Sequence, residues 1–203
     1  MGIYGGVFNP PHMGHLICAQ EAFVHLALDL VVWVPVGEAS HRTIEDDPGP
    51  EARYLMCDYA TAGDERFKVS RIELDRPGPS FTVDTLRALH EQAPGDELFF
   101  IVGGDQAAAL GAWREPEEVL KLATLAAVER DGARRELIAH RLAELEGGDN
   151  VVFFDMPRVD VSATLVRRRA AEGRPIRYLV PDRVASFIQA ECPYGASTPV
   201  GAA

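Results

Sequence analysis

Cysteine is scarce. Cys18, Cys57 and Cys192 are odd in number, widely spaced and without a CxxC pair. That excludes a disulfide framework or a zinc ribbon and fits reduced thiols in a cytoplasmic protein. No basic residue precedes Arg42, so the charged start of a secretory signal is missing. Long apolar runs are missing too: the best, from Leu26 to Val36, holds Asp29 and Pro35 and is too short for a bilayer. Positive charge is in deficit, with 20 Lys+Arg against 31 Asp+Glu, a net charge of −11 and a pI near 5.0. General affinity for nucleic acid or an anionic membrane is thereby excluded. There are no internal repeats and no linker. Neither the phosphate loop GxxxxGK[ST] nor the dinucleotide fingerprint GxGxxG occurs.

Apolar material is abundant. Across 203 residues, 47% are hydrophobic and 25% charged, which suits one domain with a substantial core. Residues 1–190 are expected to form that domain. Residues 191–203 are expected to be a flexible tail, since Pro193 to Ala203 is small, polar and proline-bearing. Short β-rich runs recur at Ile3–Tyr4, Leu30 to Pro35, Phe67 to Ile72, Leu98 to Val102, Thr124 to Val128 and Val151 to Phe154. Helical patterns lie between them: Leu16, Ala19, Phe23, Leu26 and Leu30 recur at three- and four-residue steps, then come Glu51 to Ala62, Thr82 to Glu91, Pro116 to Leu122 and Arg134 to Glu146. The alternation predicts a doubly wound α/β fold, with a mostly parallel sheet and helices on both faces. In such sheets ligands sit beyond the carboxyl ends of the strands.

The first strand runs into Gly5-Gly6-Val7-Phe8-Asn9-Pro10-Pro11-His12-Met13-Gly14-His15, and a helix follows. The two glycines let the backbone approach a ligand. The helix start offers free N–H groups and a positive dipole end to an anion. His12 and His15 are three residues apart, so both imidazoles share a face and can donate to phosphate oxygens. HxxH has no third ligand at a metal-binding spacing, so no protein metal site is expected. The late segment Val161-Ser162-Ala163-Thr164-Leu165-Val166-Arg167 follows the sixth strand and opens another helix. Ser162 is a natural N-cap, and Thr164 and Arg167 share a face that suits a polyphosphate. From Arg158 to Arg183, seven arginines meet three acids, a local anion-attracting patch. His25, His90 and His140 fall within helical patterns and read as structural or solvated.

His12-Met13-Gly14-His15 resembles the HxGH motif of the nucleotidyltransferase superfamily. GGVFNPPHMGHL resembles the opening loop of the nicotinate-nucleotide adenylyltransferases, with Asn9 where many members carry Asp. VSATLVR is similar to that family's ISxTxxR, and Pro79 to Leu86, Phe99 to Asp105 and Tyr178 to Asp182 are similar to further segments of it. The resemblance runs from Gly2 to about Ile188. It implies a Rossmann-like nucleotidyltransferase fold with a small C-terminal helical extension. The implied reaction moves AMP from ATP to nicotinate mononucleotide, with Mg²⁺ held mainly by the ATP phosphates. The implied catalytic groups are His12, His15 and Arg167. Gly5, Gly6, Phe8, Asn9, Gly103, Asp105, Ser162 and Thr164 join them in binding ATP, with Asp105 meeting the ribose. His41, Arg42, Thr82, Thr85, Trp113 and Arg114 would face the acceptor, Trp113 against the nicotinate ring.

Alternatives remain open at this point. Asp105 also reads as a helix N-cap and Trp113 as core packing. Another HxGH adenylyltransferase, taking nicotinamide mononucleotide or phosphopantetheine, and a non-catalytic nucleotide binder are rival readings. Where the family often has PPHK, this chain has Ala39-Ser40-His41-Arg42. With Gly37 nearby, a looser lid is expected there. Thr85 is expected to offer its hydroxyl to an acid acceptor, with Asp84 and Glu115 turned outward. The sequence leaves a homo-oligomer open.

Overall fold

Alternation of side chains along each strand sorts the core into two layers. The computed structural model describes residues 1–40, 43–129 and 131–195. In chain order the elements are β1 (Gly2–Gly6), α1 (Met13–His25), β2 (Val31–Pro35), β3 (Glu38–Ala39), α2 (Pro50–Thr61), β4 (Phe67–Val69), β5 (Pro79–Ser80) and α3 (Thr82–Gln92). There follow β6 (Phe99–Gly103), α4 (Gly104–Ala108), α5 (Pro116–Leu122), β7 (Thr124–Val128), α6 (Gly132–Leu142), β8 (Val151–Phe154), α7 (Ala163–Ala171) and α8 (Asp182–Glu191). Six strands make one parallel sheet in the order β4-β2-β1-β6-β7-β8. The order reverses between β1 and β6, which opens a crevice beyond their carboxyl ends.

Ile3, Val32, Val34, Phe100, Val102 and Leu125 share one buried layer with Leu86 and Leu89 of α3, Leu120 of α5 and Ile138 of α6. Their neighbours in the strands, Tyr4, Val31, Trp33, Ile101 and Ala126, share the other with Cys18, Ala19 and Ala22 of α1 and Cys57 of α2. The expected doubly wound α/β fold is therefore present. A third cluster joins Met56 of α2 to Val166 of α7 and to Val184 and Ile188 of α8, which docks the C-terminal helical extension.

Several boundaries differ from the sequence expectation. The apolar periodicity from Leu16 to Leu30 stops as a helix at His25, and Ala27 turns the chain at a φ of 49°. The run Phe67 to Ile72 is a strand only to Val69. Beyond it the Ser70 hydroxyl accepts from the Ile72 N–H and a turn replaces the ladder. The helix expected over Arg134 to Glu146 begins at Gly132, because Asp131 caps it by accepting from the Ala133 and Arg134 N–H groups. The paired strands β3 and β5 and the short helix α4 had no clear periodic signal.

The tail expectation is corrected at its start. Tyr194 is 9% exposed and packs in the third cluster. Residues 196–203 lie outside the described residues.

Candidate active site

Leaving β1, the chain folds back on itself. Phe8 has a φ of 50° and is buried, its ring lying over Gly6. A Cβ on Gly6 would sit 2.9 Å from the ring, so any larger residue there would push the buried Phe8 side chain aside. Gly5 and Gly6 both line the site, so the ligand-approach reading and this packing need coexist.

His12 is the N-cap of α1, in extended conformation. Its backbone N–H donates to Nδ1 of His15 at 3.1 Å. With Nδ1 accepting, the proton of neutral His15 is on Nε2. The two rings stack with centroids 3.7 Å apart. His15 lines the cavity, while His12 lies behind it, 8% exposed, with Nδ1 buried and unpartnered. Burial lowers the His12 pKa from 6.5 to about 4, and burial together with His12 holds His15 well below its ordinary value. Both rings are therefore neutral at pH 7.

A lowered histidine pKa means that the unfolded chain binds the proton first as pH falls. The stability is fully present above pH 6.5 and is lost on descent toward pH 4. From His12 alone, the protein should be about 2 kcal/mol less stable at pH 5 than at pH 7.5. Urea midpoints of wild type and His12→Gln at both pH values check this. An unchanged pH slope in the variant would remove His12 from the account.

A cavity of about 540 Å³ occupies the strand-order reversal. Gly5, Gly6, Phe8 and His15 form its β1 side, and Gly103 and Gln106 close the end of β6. Thr82, Thr85, Trp113 and Arg114 form the far wall, where the sequence expects the acceptor. Trp113 lines the cavity and packs edge-on against Phe100, with centroids 6.0 Å apart. The Arg114 guanidinium lies 4.6 Å from the centroid of the Phe81 ring, with Asp84 and Glu115 each 3.6 Å away. Neither Asp84 nor Glu115 lines the cavity, as expected.

Two expectations need revision. The N-cap of α4 is Gly103, not Asp105. Asp105 sits in the first turn, with its side chain 86% exposed and paired with Arg134. Thr85 is buried and its hydroxyl donates to Oε1 of Glu73 at 2.7 Å while accepting from Nη2 of Arg76 at 3.0 Å. Its proton is therefore directed away from an acceptor. Glu73, which the sequence reading missed, lines the cavity with Oε2 unpartnered. Burial raises its pKa. It lay within what read as strand and turn, where a buried acid leaves no pattern.

The second motif meets the first. Arg167, 8% exposed, donates from Nη1 to the Asn9 carbonyl at 3.0 Å. Its Nε donates to Asp46 at 3.2 Å, and Glu45 is 3.7 Å away. Ser162 caps α7 through the Leu165 N–H as expected, and Thr164 is exposed in the first turn. Within the arginine patch, Arg158, Arg174 and Arg177 pair with Asp160, Glu172 and Asp182.

The loop after β2 is pinned rather than loose up to Ala39. A Cβ on Gly37 would lie 2.3 Å from the Glu73 carbonyl oxygen, so this glycine serves close approach rather than freedom. Its N–H donates to Ser80, and Ala39 pairs with Ser80 in the β3–β5 ladder. His41 and Arg42 lie outside the described residues. Among the described residues, no group of three His, Cys, Asp or Glu is placed to hold a metal ion. No helix among them is long and apolar enough to cross a membrane.

A parallel sheet whose order, β4-β2-β1-β6-β7-β8, reverses between β1 and β6, a cavity at that reversal and a histidine donor on a helix N-terminus define an α/β nucleotide-binding protein. The Cytidylyltransferase-like family model matches residues 3–169, and the chain belongs to that family. A "Probable nicotinate-nucleotide adenylyltransferase" of Corynebacterium kroppenstedtii is 45% identical over 202 residues, covering 100% of this chain and 94% of that one. One of the same description from Rubrobacter xylanophilus is 41% identical over 189 residues, 93% of this chain and 88% of that one. Among solved structures, the Plasmodium falciparum nicotinic acid mononucleotide adenylyltransferase complexed with NaAD superposes with a TM-score of 0.74. It has 16% identity over 95% of this chain and 96% of that one, a likeness of fold.

Proposed function

We infer that this protein transfers AMP from Mg-ATP to nicotinate mononucleotide, giving nicotinate adenine dinucleotide and pyrophosphate. The observation that carries the reading is the cavity at the strand-order reversal. It has a neutral His15 donor at one side and an aromatic and cationic wall at the other. Relatives more than 40% identical over nearly the whole chain carry the same activity in their names. The 5′-phosphate oxygen of the acceptor forms a bond to the α-phosphorus as the bond from that phosphorus to the β-bridging oxygen breaks. Placement and charge neutralisation dominate such a step. His15 donates to the α-phosphate, with His12 packed behind it. The first turn of α7, with Ser162 and Thr164, and the Arg167 guanidinium take the β- and γ-phosphates. Glu45 and Asp46, both exposed, yield Arg167 to them. Asp105, next in sequence to the cavity-lining Gln106, releases Arg134 and takes the ribose. Mg²⁺ arrives on the triphosphate as part of the substrate. Free thiols at Cys18, Cys57 and Cys192 are in keeping with a cytoplasmic setting.

At the far wall Trp113 stacks on the pyridine ring, while Thr82 and Arg114 select the acid. With Thr85 turned to Glu73, the charge of Arg114 does the discriminating. A charge-assisted bond is worth about 1.5–3 kcal/mol, so acid over amide is expected at roughly 10–10²-fold in kcat/KM. Pyrophosphate release from Mg-ATP, measured with nicotinate and nicotinamide mononucleotides, tests both levels. Equal rates would sink the specificity. No product from either acceptor, with ATP still bound, would sink the transfer reaction.

A further inference from the structure

We propose that Tyr194, beyond the last helix, is a positioning residue for the ATP-phosphate site, acting through the side-chain amide of Asn9. The proposal rests on the reading above that the first loop and Arg167 hold the triphosphate. Tyr194 is buried, and its hydroxyl donates to Oδ1 of Asn9 at 2.9 Å across 185 residues of sequence. Asn9 is 3% exposed and fully engaged. Its Nδ2 donates to the carbonyls of Glu45 at 2.9 Å and Asp46 at 3.3 Å, and its own carbonyl accepts from Nη1 of Arg167. Arg167 in turn contacts the side chains of those same two acids.

An asparagine amide can flip, exchanging its oxygen and nitrogen. Here the flipped form would set Oδ1 against two carbonyl oxygens. The unflipped form needs a donor for a buried Oδ1, and the Tyr194 hydroxyl is that donor. Burial raises the phenol pKa, so it remains protonated and donating. Removing the hydroxyl leaves Oδ1 buried without a partner, which loosens the tether on Glu45 and Asp46 and the seat of Arg167. An aspartate at position 9 could not donate to those two carbonyls. The tether to Glu45 and Asp46 is thus specific to the asparagine this chain carries, and the Tyr194 hydroxyl holds that amide the right way round.

The experiment is steady-state kinetics of Tyr194→Phe, which keeps the ring and removes only the hydroxyl. KM for Mg-ATP should rise about fivefold, with kcat and the KM for the mononucleotide within twofold of wild type. A purely structural role would not produce that split. In an Asn9→Ala background the same change should add nothing to KM, since the acceptor oxygen is gone. An unchanged KM for ATP in an active Tyr194→Phe enzyme overturns the proposal. So does full additivity with Asn9→Ala, which would place the effect in the packing of α2 and α8. Wild-type enzyme without transferase activity would instead indict the functional reading.

Discussion

Replacing His15 with alanine should lower kcat by roughly 10²–10³-fold while ATP affinity changes only a few fold. The size is that of one preorganised donor to charge developing in a transition state, about 2.7–4 kcal/mol. Preorganisation is visible in three constraints. The ring stands in the first turn of α1, where free N–H groups already favour an anion. The His12 N–H occupies Nδ1, which leaves Nε2 as the donor. Stacking on His12 and edge contact with Phe8, at 5.1 Å between centroids, fix the ring plane. Burial keeps the ring neutral before substrate arrives, so Nδ1 stays free to accept from the His12 N–H and Nε2 carries the single proton. His15→Asn is the informative second variant, because its amide can still donate to an oxygen and should recover part of the rate. The measurement is single-turnover formation of the dinucleotide beside an ATP binding isotherm. A His15→Ala enzyme with near-full kcat, or one whose loss lies wholly in ATP binding, would transfer the catalytic role elsewhere.

The parts of this site legible in sequence were those that recur at helical or strand spacing. His12 and His15 stand three apart at a helix start, Ser162 reads as the cap of an arginine-bearing helix, and Gly103 ends a strand. His15 and Gly103 line the cavity, whereas His12, expected to share that face, packs behind His15. The two motifs lie some 150 residues apart. Only the fold shows that Arg167 reaches the Asn9 carbonyl. Illegible were residues whose meaning is a distant partner. Arg53 sits on α2 with no pattern in the sequence to single it out, yet it is wholly buried. Glu73 follows a short strand with no pattern to mark it. Tyr194 lies among Pro193 and Gly195, a composition that reads as a tail, and burial of one aromatic side chain outweighs that composition. Thr85 shows a subtler limit: its hydroxyl was found at the cavity wall, but the direction of its proton depends on Glu73, twelve residues earlier.

Substitution of Arg53 by methionine should cost about 3–5 kcal/mol of stability, since three carbonyls would each lose a donor at roughly 1–1.5 kcal/mol apiece. The side chain is 0% exposed, and every donor it uses reaches a chain segment bordering the site. Nε meets Asp47 at 2.9 Å, Nη1 meets the Val7 and Val36 carbonyls, and Nη2 meets the Gly37 carbonyl at 3.0 Å. One guanidinium therefore ties the exits of β1 and β2 to the start of α2. Methionine fills much of the volume but donates nothing, so three carbonyls lose a charged donor at once. Asp47 suffers less, since it is 29% exposed and also accepts from the Gly49 N–H. Asp47→Asn should accordingly cost about 1 kcal/mol, within the range of a single hydrogen bond. Arg53→Lys should fall between, because one ammonium on a shorter reach cannot span three carbonyls in different directions. For a chain of this length the methionine variant corresponds to a fall in Tm on the order of 10 °C. Urea unfolding gives the comparison directly, provided the slope is shared with wild type so that midpoints report stability alone. A loss below about 1 kcal/mol for Arg53→Met would mean that the three carbonyls find water instead, and the strand exits would then owe their geometry to packing rather than to this arginine.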